Sequence, residues 1–375
     1  MITFCKEKFL SDLETIVNID SMSSSINGIQ KMMDFFTEKY KSIGMDVFNF
    51  NSGSKCGAGL EVRNYAAGNA DVLFVGHMDT VFPDGTASQR PFRIDGNIAY
   101  GPGVADMKSG LLLIHNIVEA LLAQDSDIKI CVAMNSDEEI GSPASSAWLK
   151  ELGMKTRYCF VFEPGRANGE FVNKRKGASE LLVKFYGVSG HAGMHYGNEK
   201  NAILEAANWI LMLSKQNDPS TGTSVNAGII KGGTASNIIA DYAECVFDIR
   251  YEVPDELAKL HEIVNSFQKK SFVRGAHAEV SWLTNTPPYN ISEKTAKLMQ
   301  GLEKCGIELD IPVRFIATGG SSDANNIAAS GVPIIDACGP SGGDLHSDKE
   351  FMCIDSIKDR FDLFCQFIKT LSRFH

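Results

Sequence analysis

Three short apolar runs, separated by segments of helical period, restrict this chain to a small set of folds. "DVLFVG" (Asp71–Gly76), "IKICVAMN" (Ile128–Asn135) and "YCFVFE" (Tyr158–Glu163) are apolar on both faces. Between them, Lys108–Ala123 and Pro143–Leu152 carry apolar residues at helical spacing. The second segment has Ser142 as its N-cap and Pro143 at its first helical position. Strands with no polar face must be covered on both sides. The alternation therefore predicts an α/β domain, a mainly parallel sheet covered by helices.

The order changes between about Gly177 and Pro288. A strand ("SELLVKFYGV") and a helix ("AILEAANWILMLSKQ") lead into two strands ("SVNAGIIKGG" and "AECVFDIRYEV"), a helix ("DELAKLHEIVNSFQKK") and a last strand ("AHAEVSWL"). That β-α-β-β-α-β order resembles a ferredoxin-like α+β domain. After "NTPPYN" a helix and the strand "PIIDACG" return to the first style. At 375 residues the chain is also long for one ordinary domain. The expectation is a discontinuous α/β domain, residues 1–176 and 289–375, with an α+β domain, residues 177–288, inserted into it.

Composition narrows the partners. A net charge of −10 repels phosphate backbones and acidic lipid, which argues against nucleic acid and membrane surfaces. Nine cysteines are scattered singly with no C-x-x-C pair, as in the reducing cytoplasm, and offer neither a disulfide framework nor a thiolate metal site. The apolar stretch "LLLIHNIVEALLA" is too short to cross a bilayer, and the charged amphipathic N-terminal segment does not read as a secretory leader. A cytoplasmic protein is expected.

In open parallel sheets, ligands bind beyond the carboxyl ends of the strands. His77 and Asp79 follow the first apolar run, Asp137-Glu138-Glu139 follow the second, and Glu163 ends the third. Asp106 lies in "YGPGVADMKSG" just before a helix, and His346 in the loop "SGGDLHSDK" after "PIIDACGP". Any one of these is ordinarily a cap or a solvated loop residue. Together, imidazoles and carboxylates without thiolate suit zinc, or cobalt or manganese in its place. His77, Asp106, Glu139, Glu163 and His346 are enough for two divalent cations sharing one carboxylate. Such a centre lowers the pKa of water toward ~7 and polarises a carbonyl. Of the adjacent pair Glu138 and Glu139, one would bind metal and the other act as general base. Asp79, two residues from His77 and on the same side of an extended segment, would fix its tautomer. His191 and His195 have the spacing of a helical metal pair, but Gly190 and Gly193 favour a turn; taken alone, His191 reads as a structural histidine and Arg250, which ends a strand, as surface charge.

The motifs "GHMDTVFPDG", "YGPGVADMKSG", "NSDEEIGS", "FEPG", "VSGHAG", "TASNIIA", "DIRYE", "TGGSSDAN" and "HSDKE" resemble, in order and spacing, those of the bacterial glutamate carboxypeptidases. These are dizinc exopeptidases related to the ArgE, DapE and aminoacylase hydrolases, and the resemblance spans roughly Gly76–Ile354. It implies Asp106 as the carboxylate shared by two zincs, His77 and Glu163 as ligands of one ion, and Glu139 and His346 as ligands of the other. It further implies Glu138 as general base, Asp79 as the support of His77, and a cis peptide at Asp106–Met107. The inserted domain would be a lid and homodimer interface. Its His191 would reach a neighbouring active site to stabilise an oxyanion, while Asn237, Arg250 and Gly320 would hold the substrate. Met107 and Ser321-Ser322 depart from the usual pattern and leave the metal residues untouched.

The expected activity is hydrolysis of an amide beside a free carboxylate in a small peptide or N-acyl amino acid, releasing a glutamate-like residue. Deacylation of N-acyl amino acids and di- or tripeptide cleavage are rivals on the same fold. A non-catalytic binding protein would not need the full ligand set. A nucleotide site is disfavoured because "GIIKGGT" lacks the P-loop lysine.

Overall fold

The computed structural model describes residues 4–51, 53, 56–124, 127–194, 197 and 200–371. The chain divides into two compact units: Met1–Lys174 with Asn290–Thr318 and Ser322–His375, and Arg175–Tyr289 with Gly319–Ser321. Residues 319–321 thus group with the inserted unit, although the sequence assigns them to the outer one.

The first unit opens with helices α1 (Lys6–Val17) and α2 (Ile26–Ser42). On α1, Phe9, Leu13, Ile16 and Val17 are buried, the spacing of a single helical stripe, and the charged residues between them face water. Strands β1 (Asp46–Phe50), β2 (Gly59–Arg63) and β3 (Ala70–His77) follow, then helix α3 (Ser109–Leu122), strand β4 (Ile130–Asn135), helix α4 (Ser146–Met154) and strand β5 (Thr156–Val161). β3 pairs in parallel with β4 on one side and β5 on the other. β2 and β1 extend the sheet antiparallel beyond β4. Every residue of β4 is buried, because helices cover both faces of the sheet. The connection from β4 to β5 passes over β3, so the chain reverses direction in the sheet at the carboxyl end of β3. That is where an open α/β sheet leaves a crevice. Gly110, near the start of α3, permits close packing there: a Cβ on it would lie 2.2 Å from the Phe162 carbonyl oxygen.

The helix expected from Pro143 begins at Ser146 instead, with Ser145 as a cap that makes no side-chain capping bond. The Ser142 hydroxyl, expected as the cap, is taken by a buried carboxylate, and so is that of Ser145. Ser142 donates to Asp323 and Ser145 to Asp137, and Ser142 sits at φ +53.

The inserted unit contains strands β6 (Gly177–Tyr186) and β7 (Gly190–His191), helix α5 (Ala202–Ser214), strands β8 (Ser224–Gly232), β9 (Ile238–Ile239) and β10 (Tyr242–Tyr251), helix α6 (Pro254–Lys269) and strand β11 (His277–Thr286). Four strands form an antiparallel sheet in the order β8-β10-β6-β11, and β7 pairs with β9 in a separate ribbon. β6 and, after the exposed Tyr242, β10 alternate between buried and partly buried residues, as strands do when helices cover one face only. Leu181, Val183, Phe185, Phe247 and Ile249 form that covered face with Trp209 of α5. The Glu205 carboxylate, fully buried, accepts from Trp209 Nε1 (3.0 Å), Phe272 N (3.2 Å) and Val273 N (2.6 Å), and so ties α5 to the loop after α6.

The chain then returns to the first unit as helix α7 (Glu293–Leu309), helix α8 (Asp323–Ala328), strand β12 (Ile334–Ile335) and helix α9 (Asp355–Leu371). β12 joins the sheet in parallel beside β5, giving the order β1-β2-β4-β3-β5-β12. The strand read from "PIIDACG" is shorter than expected because Ala337 turns to φ +58, leaving the extended region. Phe364 of α9 packs on Phe160 and Phe162, with ring centroids 5.5 and 5.0 Å apart. Each such buried ring contributes about 1.5–3 kcal/mol.

Candidate metal centre

Three strand ends and two loops of the first unit bring the expected side chains together. His77 is the last residue of β3, Glu138 and Glu139 lie in a single 3₁₀ turn after β4, and Glu163 follows β5. Asp106 sits in the turn Val104–Lys108 before α3, and its peptide bond to Met107 is cis. His346 comes from the loop after β12, at φ +61, a conformation rare for any residue but glycine.

Asp106 stands at the centre. One carboxylate oxygen lies 3.2 Å from His77 Nε2 and the other 3.2 Å from His346 Nε2. Glu163 approaches His77 Nε2 at 3.7 Å, and Glu139 approaches His346 Nε2 at 3.2 Å. Two triads result, His77–Asp106–Glu163 and Asp106–Glu139–His346, each with ligand atoms within 4.8 Å of one another. Glu138 is 4.0 Å from His77 Nε2 and belongs to neither triad. The first triad is buried, while the second opens to solvent on the His346 side.

The electrostatics follow from crowding carboxylates around two imidazoles. Burial opposes protonation of His77, but Asp106, Asp79, Glu163 and Glu138 overcome it and raise its pKa well above the usual imidazole value. Asp106 and Glu139 raise His346 to about 10. Asp106 is buried, which works against ionisation, yet the two histidines hold its carboxyl below the usual range. Glu138 is pushed the other way, well up, by burial and then by its neighbour Glu163. A pocket of this charge favours cations, and imidazole with carboxylate is the donor set of zinc, cobalt or manganese. The residues fit a divalent pair.

Around the triads, the supports differ in part from those read in the sequence. Asp79 lies beside His77, with its main-chain carbonyl 3.0 Å and one carboxylate oxygen 3.4 Å from Nδ1. Its other carboxylate oxygen accepts from Ser23 Oγ (2.7 Å) and Glu139 N (3.2 Å), and so links β3 to the Glu138–Glu139 turn.

Residues 73–370 match the model of peptidase family M20/M25/M40. The chain belongs to this family. Members are metal-dependent peptidases and amidohydrolases, so this M20 chain is a hydrolase of that class. It is 29% identical over 373 residues to "Carboxypeptidase G2" of Pseudomonas sp. (strain RS-16), an alignment covering 96% of this chain and 89% of that protein. It is 28% identical to a succinyl-diaminopimelate desuccinylase of Psychrobacter sp. (strain PRwf-1), covering 90% and 89%. Among solved structures, a tripeptidase from Staphylococcus aureus subsp. aureus Mu50 superposes with a TM-score of 0.82 at 22% identity, covering 98% of this chain and 99% of that one. Aminopeptidase PepT from Bacillus cereus ATCC 10987 superposes with 0.79 at 21%, covering 98% and 99%.

Two supports of the M20 centre escape a reading by residue type. Glu350, buried, accepts from the backbone N–H groups of Gly103 (3.0 Å), Ala105 (2.9 Å) and Asp106 (3.0 Å), and so pins the turn that presents Asp106. Burial pushes its carboxyl up to about 7 against the pull of those amides. Asp323 accepts from Asn135 Nδ2 (2.8 Å) and Ser142 Oγ, which brackets the Glu138–Glu139 turn from below. The only sequence trace of either residue is its place in "HSDKE" or "TGGSSDAN".

The inserted unit carries the remaining candidates. His191 on β7 and Asn237 are neighbours, since Ala192 N donates to the Asn237 carbonyl (3.0 Å) beside the β7–β9 ribbon. Arg250 lies apart on β10 and pairs with Asp248 at 2.8 Å. Gly320 accepts from Arg175 through its carbonyl at 3.1 Å. His195 falls outside the described residues. Among the described residues, no helix is long and apolar enough to cross a membrane.

Proposed function

We propose that this chain removes the carboxyl-terminal residue, glutamate or a similar amino acid, from a small peptide or N-acyl amino acid, using two zinc ions. The observation that carries this reading is the position of Asp106, with each carboxylate oxygen 3.2 Å from a different imidazole. His77, Asp106 and Glu163 would hold one ion, and Asp106, Glu139 and His346 the other. When bound, the pair polarises the scissile carbonyl and makes the attacking water acidic.

The chain's own groups then do the proton and positioning work. Glu138, a carboxylate beside the triads and outside both, takes the proton from the attacking water and passes it to the leaving amine. Asp79 keeps His77 in the tautomer that leaves Nε2 free to ligate. From the inserted unit of a second copy, His191 donates to the developing oxyanion. Asn237, Gly320 and Arg250 hold the substrate carboxylate, which arginine recognises with two parallel hydrogen bonds.

A glutamate-like leaving residue is favoured by the likeness to "Carboxypeptidase G2", but the desuccinylase and tripeptidase relatives keep the rival substrates in the assay. Metal content and turnover are measured together on folyl-glutamate, N-acetyl amino acids, N-succinyl-diaminopimelate and tripeptides. Glu138→Ala is expected to abolish turnover while keeping metal near two ions per chain. A variant that retains most of its activity removes Glu138 from its role. A chain that turns over the tripeptides or the other acyl substrates but leaves folyl-glutamate uncut overturns the reading of a glutamate-like leaving residue.

A homodimer through the inserted unit belongs to the same proposal. β8 is an edge strand, and Ile229 and Ile230 on it are exposed together with Leu204 and Leu211 of the adjacent α5. An exposed apolar edge of this kind invites a second copy.

A further inference from the structure

A cleft of about 770 Å³ opens at the end of the first unit's sheet opposite the candidate metal centre. It is lined at the start of β5 by Thr156, Arg157 and Tyr158, whereas Glu163 lies beyond the other end of that strand. Seven residues of extended chain separate the two, roughly 20 Å. The cleft therefore shares no residue with the triads or their supports.

Its floor is apolar: Leu298 of α7, Val332 and Pro333 before β12, and Phe367 and Leu371 of α9. Gly301 lets α7 lie close against Phe367, since a Cβ there would meet the ring at 2.9 Å. Above the floor stand Lys294, Lys297 and Lys304, which share the α7 face carrying Leu298 and Gly301. Arg157 lines the same cleft and pairs with Asp71 at 3.3 Å. Among the described residues no aspartate or glutamate lines the cleft, in a chain that carries 46 acidic residues against 36 basic ones. Among the described residues the three lysines make no ion pair. Lysines on an outer helix face are usually solvated, with carboxylates mixed among them. Here Glu293, Glu303 and Glu308 share the helix without lining the cleft, and the lysines stand over a concave apolar surface of a size that suits small ligands.

We propose that this cleft binds a small amphiphilic anion, with its apolar body against Leu298, Val332 and Phe367 and its carboxylate or phosphate head beneath Lys297 and Lys304. A neutral molecule of the same body would gain the floor and lose the head. A strongly hydrated inorganic anion would gain the head and lose the floor.

The test titrates octanoate, octyl phosphate and octanol into the metal-loaded full chain by calorimetry, alongside Lys297→Glu/Lys304→Glu. Both lysines are exposed, so the variant is expected to melt with the wild type. Saturable binding of octanoate or octyl phosphate, weakened about tenfold or more in the variant, is the expected result, since two charge-assisted contacts are reversed in sign. Octanol should bind about tenfold more weakly than octanoate and ignore the variant. The stronger of the two anions tells whether carboxylate or phosphate is the preferred head. Anion affinity unchanged in the variant would place binding elsewhere, at the metal centre for instance, and overturn the proposal. Equal affinity for octanol, or no saturable binding of any probe, would overturn it too.

Discussion

Replacing Glu350 tests whether the turn carrying Asp106 is held from outside. Its two oxygens accept three backbone N–H groups, those of Gly103, Ala105 and Asp106, at 2.9–3.0 Å in a buried site. An orphaned buried N–H costs about 1–3 kcal/mol. Glu350→Ala strands three of them, but the space it leaves is polar and admits water, so the loss should sit near the low end, about 3 kcal/mol. Glu350→Gln keeps the oxygen that serves Ala105 and Asp106 and turns an amide N–H₂ toward Gly103, stranding one donor at about 1–2 kcal/mol. Against a total stability of about 5–15 kcal/mol, both variants should still fold. Urea denaturation at pH 8 reads the stability, and competitive titration of zinc with a chromophoric chelator reads the centre. Zinc affinity should fall in the same order, wild type above Gln above Ala, because Asp106 is the carboxylate shared by both triads. Equal zinc affinity in all three proteins would refute the argument, even if stability fell as calculated. The turn would then hold itself.

Other outcomes follow from single contacts. His115 is buried with Nε2 3.2 Å from the Lys39 carbonyl, and burial lowers its pKa. The unfolded chain therefore takes up a proton near pH 6.5 that the folded chain refuses, and stability falls as pH drops through that value. His115→Gln should remove about 1 kcal/mol of the loss between pH 7.5 and 5.5, and identical acid losses in the two proteins would exclude the residue. Arg360→Lys should cost about 2–3 kcal/mol in denaturant. It removes a guanidinium stacked 3.6 Å from the Phe171 ring that also donates to the Gly339 and Gly169 carbonyls, and a lysine cannot make both bonds in the plane of the ring. An unchanged midpoint would mean that the stack contributes nothing. Leu211→Asp with Ile230→Asp should convert a dimer to a monomer in light scattering without loss of zinc, and a wild-type monomer would remove that part of the proposal.

Much of the layout is legible in the chain because it rests on local period. Doubly apolar strands such as "IKICVAMN" can survive only in a covered sheet, and β4 is buried along its whole length. His77, Glu139 and Glu163 lie at or just after strand ends, where an α/β sheet opens, whereas Asp106 and His346 come from loops and stand out only through the motifs around them. Their supports were not legible. Glu350 acts on amides some 245 residues earlier in the chain, and nothing near it in sequence records that role. Ser142 looked like a cap because a serine before a proline and a helix is one by default. The competing claim came from Asp323, almost two hundred residues away. Long-range hydrogen bonding between polar side chains leaves no periodic trace, and it overrides capping preference when the partner is a buried carboxylate.

The triads draw their members from positions as far apart as His77 and His346. Closing so long a span is slow compared with making the α/β contacts inside it. On a ribosome neither triad can be fully set early, because Glu350, which pins the turn presenting Asp106, leaves the exit even later than His346. A nascent hydrolase therefore carries scattered imidazoles and carboxylates, and the constellation closes only after residues 346–350 have been made.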